Sequence, residues 1–224
     1  MTESLPGIVI AGAGGHARVV ADVVALTGGY AIAGFLDDQH PERHGSAMCG
    51  TAILGGLEQL PLLARAGVRC GFVAVGDCRA RLRLADQFVA AGFVLPTLAH
   101  PASVRARDVV LGPGTVLVAG AIVNPGARLG ANVIVNTAAS VDHDCVIEDG
   151  VHIACGARLA GNVVVGRGAW IGIGAVVKER VRIGAHTVVG AGAVVLKDLP
   201  DGVIAYGAPA KVVDHVSPHD PVGR

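Results

Sequence analysis

Two histidines frame the chemistry open to this chain of 224 residues. His143 stands in Val141-Asp142-His143-Asp144, beside an acid, and Gly161 follows eighteen residues later. A histidine can take and return a proton. A glycine with an accessible amide can steady an oxyanion. Placed together, they would serve acyl transfer: the imidazole takes a proton from an incoming amine or hydroxyl, and the amide holds the oxygen of the tetrahedral intermediate. The other histidine, His16, lies in "GGHARVV" (14–20), after the apolar run "IVIAGA". Glycines at a strand-to-helix turn fit a dinucleotide site, a site for another phosphate, or only a tight turn.

The elements that would bring His143 and Gly161 together follow from a period of six. Stepping from Leu111 to Val195, every sixth residue is Leu, Val or Ile. The fourth residue after each is mostly small, from Thr115, Ala121 and Ala127 to Ala193. Gly, Asn and Asp crowd the slots between. This is neither a helix nor a hairpin period. It describes a short flat strand followed by a corner, with three strands and three corners closing a coil of eighteen residues. Residues eighteen apart then lie one above the other, about 4.8 Å apart, so Gly161 stacks on His143. His143 and Asp144 fall at corner positions, so their side chains project outward. Cys145 falls in a small inward slot and reads as packing.

The first hundred residues alternate strand and helix, which implies a small open parallel sheet. "GIVIAGA", "AIAGFLDD" and "GFVAVGD" read as strands. "HARVVADVVALTGG", "LEQLPLLARAG" and "RARLRLADQFVAAG" read as helices, with Val19, Val20, Val23 and Val24 on the apolar face of the first. Ligands bind at the carboxyl ends of such strands. Those ends carry Gly12, Gly14, Gly15 and His16, then Asp37 and Asp38, then Gly76 and Asp77. The glycines also fit a loose GxGxxG/A fingerprint, but there is room for only half a dinucleotide fold. A mononucleotide is the more economical ligand, its pyrophosphate held at the helix N-terminus.

Composition sets the outer bounds. Lys+Arg 18 balances Asp+Glu 18 without a basic cluster, which argues against nucleic acid. The five cysteines are odd in number, without CxxC spacing, and read as reduced thiols of a cytoplasmic protein. No apolar run long enough to span a membrane occurs, the start does not read as a signal peptide, and no metal site is expected.

"GAGGHARVV", "FLDD", "VAVGDCRAR" and hexads carrying "VDHD", over about 7–213, together resemble the hexapeptide-repeat sugar O/N-acyltransferases. That group includes sialic acid O-acetyltransferases and N-acetyltransferases of nucleotide-linked 4-amino sugars. The resemblance implies a Rossmann-like nucleotide-sugar domain (1–100), a left-handed parallel β-helix (101–213) and a C-terminal tail (214–224). It implies acetyl-CoA as co-substrate, a homotrimer with pockets between subunits, and a place in glycan biosynthesis. It assigns His143 as general base, Asp144 as its acid (often Glu in relatives) and Gly161 as the oxyanion amide. His152 matches a second histidine near the thioester, Asn136 belongs to the same signature, and the tail residues Ala208, Pro209 and Lys211 match "GxPAK" near the adenine end of the cofactor.

Plainer readings compete at several positions. Asp144 serves equally as a turn former, Asp77 as a helix N-cap, and His152 as a stacking partner. Arg79, Arg81 and Arg83 read as a solvated face, and Trp170 as an outward residue favouring packing of three copies. Within the same fold, sugar O-acetylation and a non-catalytic trimerising module are the alternative functions.

Overall fold

A computed structural model describes residues 5–217. The N-terminal region contains β1 (Gly7–Ala11), α1 (Gly15–Thr27), β2 (Ala31–Leu36), β3 (Ala47–Met48), β4 (Thr51–Gly55), α2 (Leu60–Arg65), β5 (Cys70–Val73) and α3 (Cys78–Ala90). The sheet order is β3-β4-β2-β1-β5. The neighbours β4, β2, β1 and β5 pair in parallel, and β3 joins β4 as an antiparallel hairpin. The three expected strands are thus extended by a hairpin that turns on Cys49 and Gly50, both with positive φ. The second helix is short, entered through a 3-10 turn at Leu57–Gln59.

β1 and β5 are continuous apolar runs because both faces of the sheet are covered. On one face, Ile8, Ile10, Phe35 and Phe72 pack with Val20 and Val24 of α1. On the other, Val9, Leu36, Leu60, Leu63 and Phe88 form a second cluster. Val19 is exposed rather than part of the helix's buried stripe. α1 ends where Gly28 turns left-handed at φ 64° and its N–H returns to the Val24 carbonyl.

From Leu98 onward the chain winds into a prism of two-residue strands. Three walls result. Wall A stacks Ile134–Val135, His152–Ile153, Trp170–Ile171 and Val188–Val189; wall B stacks Ile122–Val123, Ser140–Val141 and Arg158–Leu159; wall C stacks Arg128–Leu129, Val146–Ile147 and Val164–Val165. Every step in these ladders is parallel and eighteen residues long. Inward residues such as Leu117, Val135, Ile153, Ile171 and Val189 are fully buried, with the small slots Ala139, Cys145 and Ala157 beside them. Each buried aliphatic contributes roughly 1.5–3 kcal/mol.

The corners need a left-handed residue, and every sixth residue from Gly114 to Gly192 has positive φ. Asn132, Ala138, Asp144, Asn162, Arg180 and His186 fill this slot without being glycine. The stack starts lower than the run of aliphatics: Leu98–Ala99 pairs with Val116–Leu117, and Val104–Arg105 with Ile122–Val123. It is closed by Val203–Tyr206, which pairs antiparallel with Lys211–His215. Asp214 and His215, expected in the C-terminal tail, lie in this strand. The Ser217 carbonyl accepts from Arg79. Tail residues 218–224 lie outside the described residues.

The two regions share one core. Val116, Val118 and Ile134, on the outer side of wall A, belong to the same apolar cluster as α1 and the sheet. The sheet domain therefore sits on wall A and leaves walls B and C uncovered by it.

Candidate active site

His143 stands at the corner between walls B and C, after Ser140–Val141. Two acids flank it. Asp142 Oδ1 accepts the His143 N–H at 2.7 Å and is held in turn by Asn124 Nδ2 at 2.9 Å, one coil below. The Asn124 hydrogen bond and then the His143 amide keep the Asp142 carboxyl below its ordinary range. Asp144 Oδ2 meets His143 Nδ1 at 2.8 Å. Asp144 is thus both the left-handed corner residue, at φ 58°, and the histidine's partner. The shorter acid reaches the ring because that backbone turns its carboxylate back over the corner.

This contact assigns the ring proton to Nδ1 and leaves Nε2 with its lone pair. The hydrogen bond that Nδ1–H donates to Asp144, followed by the charges of Asp142 and Asp144, raises the His143 pKa above its ordinary value. Nε2 faces Gly161, and a Cβ at Gly161 would collide with Nε2 and Cε1 of the ring. Gly161 is required here for space, not for φ. Among the described residues no acceptor takes the Gly161 N–H, while its carbonyl accepts from Arg180. The corner therefore presents an imidazole nitrogen and a free amide side by side. Both imidazole and acid are more than half exposed. Cys145, buried in its inward slot, gives its thiol to the Ala160 carbonyl. Burial pushes its pKa up to about 11, so it is no nucleophile.

His152 lies elsewhere, on wall A beneath the sheet domain. Its ring is only 4% exposed. Nε2 meets Asn136 Nδ2 at 3.0 Å, and Nδ1 faces the Gly76 carbonyl at 3.3 Å. Asn136 Oδ1 takes the Thr137 N–H, so its amide NH2 is the donor to His152. Trp170, half-buried, packs on the same ring, with centroids 4.1 Å apart. His16 approaches from α1 at 6.2 Å. Its Nε2 is buried without a hydrogen-bond partner. Burial and then the charge of Arg81 lower the His16 pKa to about 4, and the same causes in the same order lower His152. Both rings are neutral at pH 7.

Gly14 and Gly15 open onto free space at the N-terminus of α1, as does Gly76 at the end of β5. Gly12, at φ 105°, could not carry a Cβ without meeting the Ala74 carbonyl. The two acids have structural partners. Asp37 is buried, with Arg43 Nη1 at 3.4 Å and the Gln39 N–H at 3.0 Å; Asp38 takes the Leu57 N–H at 2.9 Å. Arg43 Nη1 also reaches the Ala13 carbonyl at 2.9 Å, tying the acidic loop to the glycine loop. Asp77 caps α3, accepting the Ala80 N–H at 2.6 Å. Ala208, Pro209 and Lys211 are exposed on the hairpin that closes the last coil, and Ala210 N–H bonds the Val194 carbonyl. His143 and the tail thus share the prism but lie at different heights, and neither joins the cluster of His16, Asn136 and His152.

Residues 7–88 match the family described as PglD N-terminal domain, and residues 162–197 match the bacterial transferase hexapeptide (six repeats). GDP-perosamine N-acetyltransferase from Caulobacter crescentus, solved with CoA and GDP-perosamine, is 40% identical over 94% of this chain and 98% of its own, with a TM-score of 0.89. This chain is a hexapeptide-repeat sugar acyltransferase. Its prism is the left-handed parallel β-helix of that family. The acyltransferase is also similar to the acetyltransferase domain of PglB from Neisseria gonorrhoeae FA1090, solved with acetyl coenzyme A: 39% identity, 94% and 100% coverage, TM-score 0.88. WeeI from Acinetobacter baumannii AYE is 26% identical, with 94% and 100% coverage and a TM-score of 0.79. The Caulobacter enzyme was also solved, with the same ligands, with one histidine replaced by asparagine or by alanine.

Three residues of this acyltransferase's site escaped the sequence reading. Asn124 and Asp142 are eighteen apart, so the coil period placed them in contact. Arg81 is not on a solvated face: it is 1% exposed, whereas Arg83 is exposed. Its spacing from Cys78, Leu82, Ala85 and Phe88 follows the buried stripe of α3. Among the described residues no group of His, Cys, Asp and Glu is placed to hold a metal ion, and no helix is long and apolar enough to cross a membrane.

Proposed function

We propose that this chain transfers the acetyl group of acetyl-CoA to the amine of a nucleotide-linked 4-amino sugar. The observation that carries the reading is the corner where His143 Nε2 faces Gly161. The neutral amine attacks the thioester carbon. Its proton passes to His143 Nε2, and Asp144 balances the imidazolium that forms. The carbonyl oxygen becomes an oxyanion held by the Gly161 N–H. The C–S bond then breaks, and the departing sulfur takes the proton back from His143. No covalent enzyme intermediate is needed.

The glycine loop at α1 suits the pyrophosphate of the sugar nucleotide: its amides head a helix of 13 residues, and the space above Gly14 and Gly15 is free. A hairpin carrying Lys211 at the end of the prism suits the far end of an elongated thioester. The reading includes a homotrimer, which the layout supports. The His143 corner lies between walls B and C, whereas the sheet domain covers wall A, so the histidine of one copy serves the nucleotide site of the next. Exposed Val104, Val110, Val146 and Val176 on walls B and C supply apolar area for that packing. The cytoplasm is the setting, where acetyl-CoA is made and the unpaired cysteines stay reduced.

The test is an acceptor panel. With acetyl-CoA, a GDP-, UDP- or dTDP-linked 4-amino sugar should gain one acetyl group by mass, and the matching 4-hydroxy sugar none. Acetylation of the hydroxy sugar alone would replace this reading by O-acetylation. Absence of acetyl-CoA binding would reduce the prism to a scaffold.

A further inference from the structure

Arg81 is a buried cation, 1% exposed, and none of its hydrogen bonds among the described residues goes to a carboxylate. All five of its N–H donors are engaged. Nε donates to the Asn132 carbonyl at 2.9 Å; Nη2 donates to the Gly150 carbonyl at 2.7 Å and faces Cys78 Sγ at 3.5 Å. Nη1 donates to the carbonyls of Val75 at 2.8 Å and Gly76 at 2.6 Å. Asn132 and Gly150 are left-handed corners of successive coils, eighteen residues apart. Val75 and Gly76 form the loop that leaves β5, at the ligand end of the sheet. One guanidinium therefore fastens the sheet domain to two coils of the prism.

The neighbouring geometry makes this more than glue. The Gly76 carbonyl that Arg81 holds also faces His152 Nδ1, and His152 passes the contact to Asn136. A Cβ at Gly150 would strike Leu82, so α3 lies directly on the corner that Arg81 grips. A lysine has one ammonium on a flexible stem and cannot span four carbonyls on two bodies, whereas the planar fork can.

We propose that Arg81 is a positioning residue, which sets the sheet domain at a fixed angle on the prism and so sets where the acceptor amine falls relative to the acetyl group. This rests on the acetyltransferase reading above. Each ligand site would survive the loss of Arg81, because the glycine loop and the His143 corner are built from other residues. What would be lost is their mutual register, and misplacement near 1 Å costs about a hundredfold in rate.

The experiment compares Arg81→Lys and Arg81→Ala with the wild-type full-length protein. Four quantities are measured: kcat with acetyl-CoA and the nucleotide amino sugar, Kd for acetyl-CoA, Kd for the nucleoside diphosphate, and backbone hydrogen exchange at residues 74–77 and 150–152. The expected result is a kcat lowered at least tenfold in Arg81→Lys, both Kd values within threefold, and exchange in the two segments at least tenfold faster. Added guanidinium at millimolar concentration should restore part of the kcat of Arg81→Ala, and not that of Arg81→Lys. A folded Arg81→Lys with kcat and exchange within twofold of wild type overturns the proposal. So does loss of the native fold in both variants, which would assign Arg81 to folding alone. A wild-type protein that acetylates no amino sugar defeats the functional reading instead, and the exchange data still decide whether Arg81 holds the loop to the prism.

Discussion

The prism and the sheet domain solve the placing of side chains in opposite ways. In the prism, position is a matter of arithmetic: one coil is eighteen residues, so Asn124 supports Asp142 and Gly161 caps His143. Backbone hydrogen bonds between coils enforce the register, as in His152 N–H to the Ala169 carbonyl at 3.0 Å. In the sheet domain, position depends on contacts between residues far apart in sequence. Arg43 joins the acidic loop to the glycine loop, and Arg81 joins the whole domain to the coils. Repetition builds a rigid corner for the reaction; single polar clamps set the angle at which the acceptor is brought to it.

Four substitutions or conditions press on this contrast. The largest effect is expected inside the prism. Ile153→Ala removes a fully buried aliphatic from a stack that cannot collapse, since its neighbours are fixed by coil spacing. It should destabilise by about 2–5 kcal/mol, read from urea unfolding. A loss below 0.5 kcal/mol would show that the stack relaxes, against the rigid picture.

Next is Gly161→Ala. Its methyl group claims the place of the His143 ring, which is exposed and can swing outward. Stability should hold while kcat falls about a hundredfold, so an active variant would separate Gly161 from the chemistry.

Asp144→Asn should cost about tenfold in kcat and also move the pH profile. The carboxylate raises the His143 pKa, and only the neutral ring is a base. In the wild type, kcat/KM therefore falls as pH drops through a value above 6.5. Without the carboxylate that limb shifts to lower pH. An unmoved limb would mean that another group titrates.

The smallest effect belongs to the interface between the regions. His16 and His152 are neutral when folded and take up protons more readily when unfolded. Their folded pKa values are depressed, so their contribution is complete above the unfolded value near 6.5 and is lost as pH falls toward 4. The urea midpoint should be flat from about pH 8 to 7 and decline below about 6.5, less steeply in His16→Asn.

Legibility in the sequence follows the same division. The period of six disclosed the prism, its corners and the meeting of His143 with Gly161, because a translational repeat writes its geometry into spacing. The glycine loop and the α1 boundary were legible from local backbone chemistry. The hairpin at Ala47–Gly55 was not read: its first strand has two residues, too few to show a period, and the second, Thr51–Gly55, follows it directly. Arg81 was misread because a charged residue is assigned to solvent by default, although its phase on α3 matched the buried stripe. The packing of Trp170 on His152 was not read, although the two are eighteen residues apart and outward on the same wall.

The central claim is that a neutral imidazole at position 143 takes the proton of the attacking amine. The most direct measurement is kcat of His143→Ala with acetyl-CoA and a nucleotide-linked 4-amino sugar, taken beside the Kd for acetyl-CoA. The account predicts a fall of at least about a hundredfold in kcat with the Kd within threefold. Turnover within a few-fold of wild type would contradict it.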